Sequence, residues 1–579
     1  MNRVSRGAAL VSVGLVAAAA ADPNIHIGDR RFVGGRAVTS IAVCGADRAL
    51  SVEMWGPRTY QWKLPGGELA GTLGPLAKEQ TFVACESALS LSGNLDGASL
   101  YKGSALVASA AIKDALGGTI VGGRAYVVDA GATLYELTAV GAKALWKGTE
   151  SAGFRAVVRP DLVVTYYGNE VVWSTAKQSR RLTMPAEVVA VADVGDAIAV
   201  ADKRGDVRLL TGPKVTAPVI HVDPEKLGEI RSVGGNQAWI GVGTYDANLV
   251  QLSRKTGKTL APLELIPVRM SRSLLAIAIS GDRWLVGTDD NRIVPVALGA
   301  TSFTRPPISG HDGLIWTLAL DDTWLVSGSS DDTVRVHRSD GTFERVLANP
   351  ERRPYLRVGL TADILWARDD YQHLQRWKRK GQKPLPAIEL VSDAVALDAR
   401  RLAVVQRGTL GVLDVATGKI RVVTSAPPKL GDAKLAAAAD LVAIVLDIGG
   451  GPVRIVEVAS GRVVASLEVG EVDAVAFTPD ASRLAISVDG KIQIWTRKGG
   501  VLSAAGDHAT RISALAFARD GQLASGDWNG TIRIWKAGSA KPVGELAAHL
   551  GRVDALTWNG PRLASAASDY QIKVWDIAP

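Results

Sequence analysis

Three places in the chain set an imidazole, a hydroxyl and an acid or amide at one recurring spacing, and these are the side chains best able to do chemistry. His549 is followed by Leu563-Ala564-Ser565, Asp569 and Trp575, and His508 by Leu523-Ala524-Ser525, Asn529 and Trp535. His311 is followed by Leu325-Val326-Ser327 and Asp331, with His337 where the other two copies have Trp. Grouped in a half-buried place, such donors and acceptors must satisfy one another, because an unpaired buried polar group is costly. We read His311, His508 and His549 as structural rather than catalytic. The chain has no phosphate loop, G-x-S-x-G elbow, H-E-x-x-H or dinucleotide fingerprint. Its acidic pairs, Asp289-Asp290, Asp321-Asp322, Asp331-Asp332 and Asp369-Asp370, fall in turns, where Asp bonds its own backbone. The 7 His are scattered singly, and neither Cys44 nor Cys85 has metal-ligand spacing to one, so no metal and no cofactor is expected.

The elements that must position these side chains are strands. Thr531-Ile532-Arg533-Ile534-Trp535 and Ile572-Lys573-Val574-Trp575-Asp576 alternate as strands do, inside a repeat of about forty residues. That is the signature of a propeller blade, four antiparallel strands to a unit. With these motifs the last seventy or so residues, and the outlying copy from Gly310, resemble the WD-repeat (WD40) family, specifically a tandem-propeller protein of bacterial type. The resemblance implies a hydrogen-bonded set in each blade. The set is His549, Ser565, Asp569 and Trp575 in the last and His508, Ser525, Asn529 and Trp535 before it, where Asn529 weakens the charge-assisted bond. In the blade from 310 it is His311, Ser327 and Asp331. The resemblance also implies a narrow face of loops that takes peptides and protein domains, and here it offers Arg511, Trp528, Arg552, Tyr570 and Trp316.

The same rhythm without the motif runs through the rest of the chain. Apolar first strands fall near Trp316, Leu356, Ala394, Leu435, Ala474, Ala514 and Ala555, and an earlier series near Ile41, Val83, Leu116, Val157, Val189, Ile230 and Ile277. The expected fold is all-β: two tandem seven-bladed β-propellers of four-stranded antiparallel blades, a degenerate one over 22–308 and a WD-repeat one over 309–579. The chain stops just after a third strand, so the last blade needs an outer strand from elsewhere. Thr301 to Ile308 is the expected donor, with Asn24 to Asp29 doing the same for the first ring and removing an open edge.

Arg3 and Arg6, the apolar run Gly7 to Val16 and five Ala before Asp22-Pro23 read as a signal peptide over 1–21, hence an exported protein, periplasmic or secreted. The other reading is a blade fragment in a cytoplasmic chain. The segment is too short and weakly apolar to remain as a spanning helix. A 47% hydrophobic content with 61 Gly and 15 Trp suits short strands and tight turns. The formal charge of +8 is spread over a large surface, and clusters such as Arg376 to Lys383 lack stacking aromatics or a groove-binding helix, so nucleic acid is not the expected partner. Cys44 and Cys85 follow neighbouring first strands, and two buried free thiols are expected, equivalent positions on adjacent blades being taken as too far apart to join. The function expected is a non-enzymatic scaffold for protein or peptide partners, a monomer within a complex. The alternative is an enzymatic or ligand-binding propeller of quinoprotein or lactonase type, with its site at a channel mouth.

Overall fold

The second strand of each blade is the one whose residue types most restrict the packing. Leu523–Asp527 and Trp324–Ser329 are buried at every position. A strand covered on both faces must carry small or apolar side chains throughout instead of alternating, which is why L-A-S and L-V-S stand there. Outer strands such as Phe343–Ala348 alternate between exposed and buried.

These strands belong to a computed structural model that describes residues 25–27, 36–54, 56, 58–73, 80–149, 155–265, 273–303, 310–424, 433–446, 451–500, 502–536, 539 and 541–577. Among the described residues the strands form fourteen antiparallel sheets, twelve of them four-stranded. The sheet at 230–264 fills its outer position with two short pieces, Lys258–Thr259 and Leu263–Glu264, and the sheet Leu274–Ser280, Arg283–Thr288, Ile293–Ala297 has three described strands. Each sheet is a blade. The first strand of the first blade, Val38–Val43, packs on that of the seventh, Leu274–Ser280, and Ile315–Leu320 packs likewise on Val553–Asn559. The chain therefore closes two seven-bladed rings, with first strands where the sequence rhythm puts them.

The core sits between neighbouring blades. Ile532, Ile534, Val553, Leu563 and Trp575 interleave the last two blades, and Ile315, Leu325, Ala564, Ile572 and Val574 close the second ring. At about 25 cal/mol per Å² of apolar surface, such blade-to-blade burial is the main stabilising contribution to each ring.

Two expectations change here. Ile25–Ile27 pairs antiparallel with Ile572–Val574, so the N-terminal segment completes the last blade of the second ring, not the first. That makes Thr301 to Ile308 unnecessary as its donor; residues 304–308 lie outside the described residues. Cys44 and Cys85 are joined in a disulfide with their Cα atoms 5.2 Å apart. First strands converge at a ring's centre, where Val38–Val43 and Phe82–Glu86 pack together, so equivalent positions there come within bonding reach. The signal-peptide reading of 1–21 lies outside the described residues.

Candidate binding site at the channel mouth of the second ring

Polar sets within the blades hold the loops that form the mouth. In the last blade His549 Nδ1 lies 3.0 Å from Asp569 Oδ1 and Nε2 lies 2.6 Å from Ser565 Oγ, with the Trp575 ring edge-on to the imidazole at 6.2 Å. Burial works to raise the Asp569 carboxyl, but His549, Lys573 and the Leu550 N–H together hold it below the usual range. In the blade from 310, His311 contacts Asp331 at 2.9 Å and Ser327 at 2.7 Å. His337, in the Trp place, has a buried Nδ1 with no hydrogen-bond partner.

The blade between uses a different acid. His508 Nδ1 meets Asp527 Oδ2 at 3.1 Å and its Nε2 meets Ser525 at 2.7 Å, while Trp535 Nε1 donates to the same Ser525 oxygen at 2.7 Å. Asp527 sits two residues before Asn529, so the charged partner is retained and the expected weakening at Asn529 does not occur. Asn529 faces the first ring: its Oδ1 accepts from Arg36 at 3.4 Å and its carbonyl from Arg58 at 3.1 Å. The sequence reading missed a related pair in the first ring, where Trp62 Nε1 donates to Ser51 Oγ at 2.8 Å. Its signal is Leu50-Ser51-Val52 with a Trp 11 residues beyond the Ser.

The mouth is built from loops entering first strands and from turns after second strands. Arg511 and Arg552 each precede a first strand, and Trp528 stands in the turn after Leu523–Asp527, its N–H donating to the Arg511 carbonyl at 3.1 Å. Gly530, with φ of +84°, closes that turn, and a Cβ there would collide with the His549 carbonyl. A bulge near the start of five first strands turns one extra residue inward: Trp316, Leu356, Ser392, Ser513 and Asp554. The cavity they line has a volume of about 780 Å³.

Four of the five residues singled out for a partner face come together on this rim. The Arg511 guanidinium lies 5.6 Å from the Trp528 ring, Arg552 lies 5.6 Å from the same ring, and Arg552 lies 5.5 Å from Trp316. Acids fix the cations: Arg511 binds Asp473 at 2.5 Å and Glu471 at 3.0 Å, Arg552 binds Asp554 at 2.6 Å, and Arg357 binds Asp393 at 2.9 Å. Hydrogen bonds to Asp473 and Glu471 keep Arg511 more firmly charged than usual. Burial pushes the Asp554 carboxyl up to about 6 against the pull of Arg552. Rigid aromatic planes alternating with oriented cations suit the recognition of peptide side chains.

Tyr570 is the fifth, and the structure removes it from this face. It is 1% exposed; its hydroxyl donates to the Asp290 carbonyl and the Arg292 guanidinium lies 4.6 Å over its ring. The first ring docks on the loops of the last two blades, through Arg36 to the Trp528 carbonyl at 3.0 Å, Tyr60 to the Leu550 carbonyl at 3.0 Å and Asn291 to the Ser568 carbonyl at 2.7 Å. Tyr570 lies inside that contact. Among the described residues no group of three or more His, Cys, Asp or Glu is placed to hold a metal, and no helix is long and apolar enough to cross a membrane.

Residues 303–338, 501–536 and 540–576 match the family model of the WD domain, G-beta repeat. The chain is 34% identical over 109 residues to ribosome biogenesis protein YTM1 of Chaetomium globosum, covering 16% of this chain and 22% of that protein. It is 33% identical over 138 residues to the protein of the same name in Podospora anserina, covering 19% and 28%, and 42% identical over 67 residues to anaphase-promoting complex subunit cdc20 of Dictyostelium discoideum, covering 11% and 13%. The chain thus spans less than a third of each relative's length. These relatives correct the expectation of an exported, periplasmic or secreted protein: two are named for ribosome biogenesis, work done inside cells, and all three are eukaryotic, so they lend nothing to the bacterial-type resemblance. The three matched units carry the His, Ser and Asp contacts described above, so these segments of the second ring are similar to WD repeats in sequence and in geometry.

Proposed function

We propose that the protein is a non-enzymatic scaffold that binds partner proteins or peptides at the mouth of the second ring's channel, as a monomer within a complex. In this reading the chain divides at 308/309 into a degenerate ring over 22–308 and a WD-repeat ring over 309–579, the second borrowing Ile25–Ile27. The observation that carries it is the stack of Arg511, Trp528, Arg552 and Trp316 on the rim of a cavity of about 780 Å³. Arg and Trp are the side chains that most often dominate binding energy at protein interfaces, and here both are already oriented before a partner arrives. The relatives' names make components of ribosome assembly the first partners to test.

The test compares wild type with the Trp528→Ala, Arg552→Ala double variant by cross-linking and affinity purification with mass spectrometry, after matched melting curves. Losing both side chains should remove about 2–4 kcal/mol of binding and deplete true partners at least tenfold. Equal recovery by the folded double variant would remove the mouth from consideration.

A further inference from the structure

On the face opposite the mouth, between the fifth and sixth blades of the second ring, lies a groove of about 270 Å³ that shares no lining residue with the mouth. Its floor is apolar: Ile494 on the third strand of one blade, and Phe517, Leu523 and Trp535 at strand ends of the next. The outer strand beside it, Leu502–Asp507, carries Ser503, Ala504 and Ala505, whose small side chains leave the floor open. Trp535 is held by its bond to Ser525, and a Cβ at Gly506 would collide with its ring, so the indole is fixed with its apolar part toward the groove.

Arg483 and Lys536 stand on the rim. The Arg483 guanidinium lies 5.6 Å from the Phe517 ring, over Gly521, where any Cβ would crowd it. Arg483 is thus held in place by stacking and by the space an absent side chain leaves. Among the described residues neither cation pairs with an acidic group, in contrast to Arg357, Arg511 and Arg552 at the mouth, each of which is neutralised by an Asp. Two unneutralised cations over an apolar floor of this size fit one large apolar side chain beside a carboxylate.

We propose that this groove is a second binding site, for an acidic peptide segment that inserts an aromatic or large aliphatic side chain and sets a neighbouring carboxylate on Arg483 and Lys536. It is independent of the mouth and goes beyond the function proposed above.

The smallest probe with this chemistry is 3-phenylpropionate, and 3-phenylpropylamine is its charge-reversed control. Ligand-observed saturation-transfer NMR on the full chain should show saturable binding of the acid, with the amine at least tenfold weaker. Arg483→Gln with Lys536→Gln should cost the acid at least fivefold, and Lys536→Glu, at an exposed position whose change leaves the fold intact, should weaken it alone. Equal binding of acid and amine by wild type, or no binding of either, would overturn the proposal without any variant. Undiminished binding of the acid by the double variant would place its site elsewhere and overturn it as well.

Discussion

His337 shows how one residue changes the chemistry of a repeat. In the sixth blade of the second ring the equivalent Trp535 gives its indole N–H to Ser525. At 337 the imidazole is 3% exposed, its Nδ1 has no partner, and burial, with His311 and Arg335 nearby, depresses it to about 4. As pH falls from the unfolded value of 6.5 toward 4, the unfolded chain takes up a proton that the folded chain refuses. Stability is therefore lost over that window, by up to about 3 kcal/mol. His337→Trp should narrow the difference in urea midpoint between pH 7 and pH 4.5 relative to wild type; an unchanged difference would show that this imidazole does not titrate in the window. The blade with Asn529 carries a second residue-scale lesson. The Asp that pairs with His508 is Asp527, so a motif position can lose its acid without the blade losing its charge.

At the scale of elements, the loops carrying the mouth are held from outside their own ring. Arg36 and Arg58 donate to the carbonyls of Trp528, Asn529, His549 and Leu550. A charge-assisted bond to a carbonyl contributes roughly 1 kcal/mol once partial exposure is allowed for. Arg36→Ala with Arg58→Ala should leave both rings folded, speed amide hydrogen exchange at 528–530 and weaken partner binding about fivefold. Exchange there at the wild-type rate would mean that the blade alone fixes the Trp528 turn. The bulges belong to this scale too: one added residue at the head of a first strand turns Trp316 or Asp554 toward the channel without disturbing the pairing beyond it.

Across the whole molecule the two rings are joined by more than the covalent connection between them. The chain begins its described structure in the last blade of the second ring, builds the first ring, and returns to finish the blade it began. Deleting residues 24–28 should expose the edge of Ile572–Asp576 and speed hydrogen exchange there, with Val38–Val43 and Leu274–Ser280 unchanged. Faster exchange in the first ring instead, with Ile572–Asp576 protected, would return the segment to that ring. Tyr570 and Arg292, stacked between the rings, place the loops of the last blade inside this contact.

Local alternation and turn chemistry were enough to locate fourteen first strands and the fold class, because a propeller blade is a series of hairpins between chain neighbours and each pairing is short-range. The His, Ser and Trp contacts of the second ring were legible for the same reason, since the groups lie within one blade. Four of the five residues named from their repeat positions, Arg511, Trp528, Arg552 and Trp316, lie on the rim. Their stacking could not be read from those positions, because bulges and neighbouring blades set it. Contacts between residues far apart in the chain were decided only by the tertiary structure: which blade Ile25–Ile27 completes, that Cys44 reaches Cys85, and that Tyr570 is covered by the first ring. A sequence pattern reports which side chains a strand must bury; what covers them depends on closing a ring and docking one ring on another, and no local pattern encodes either.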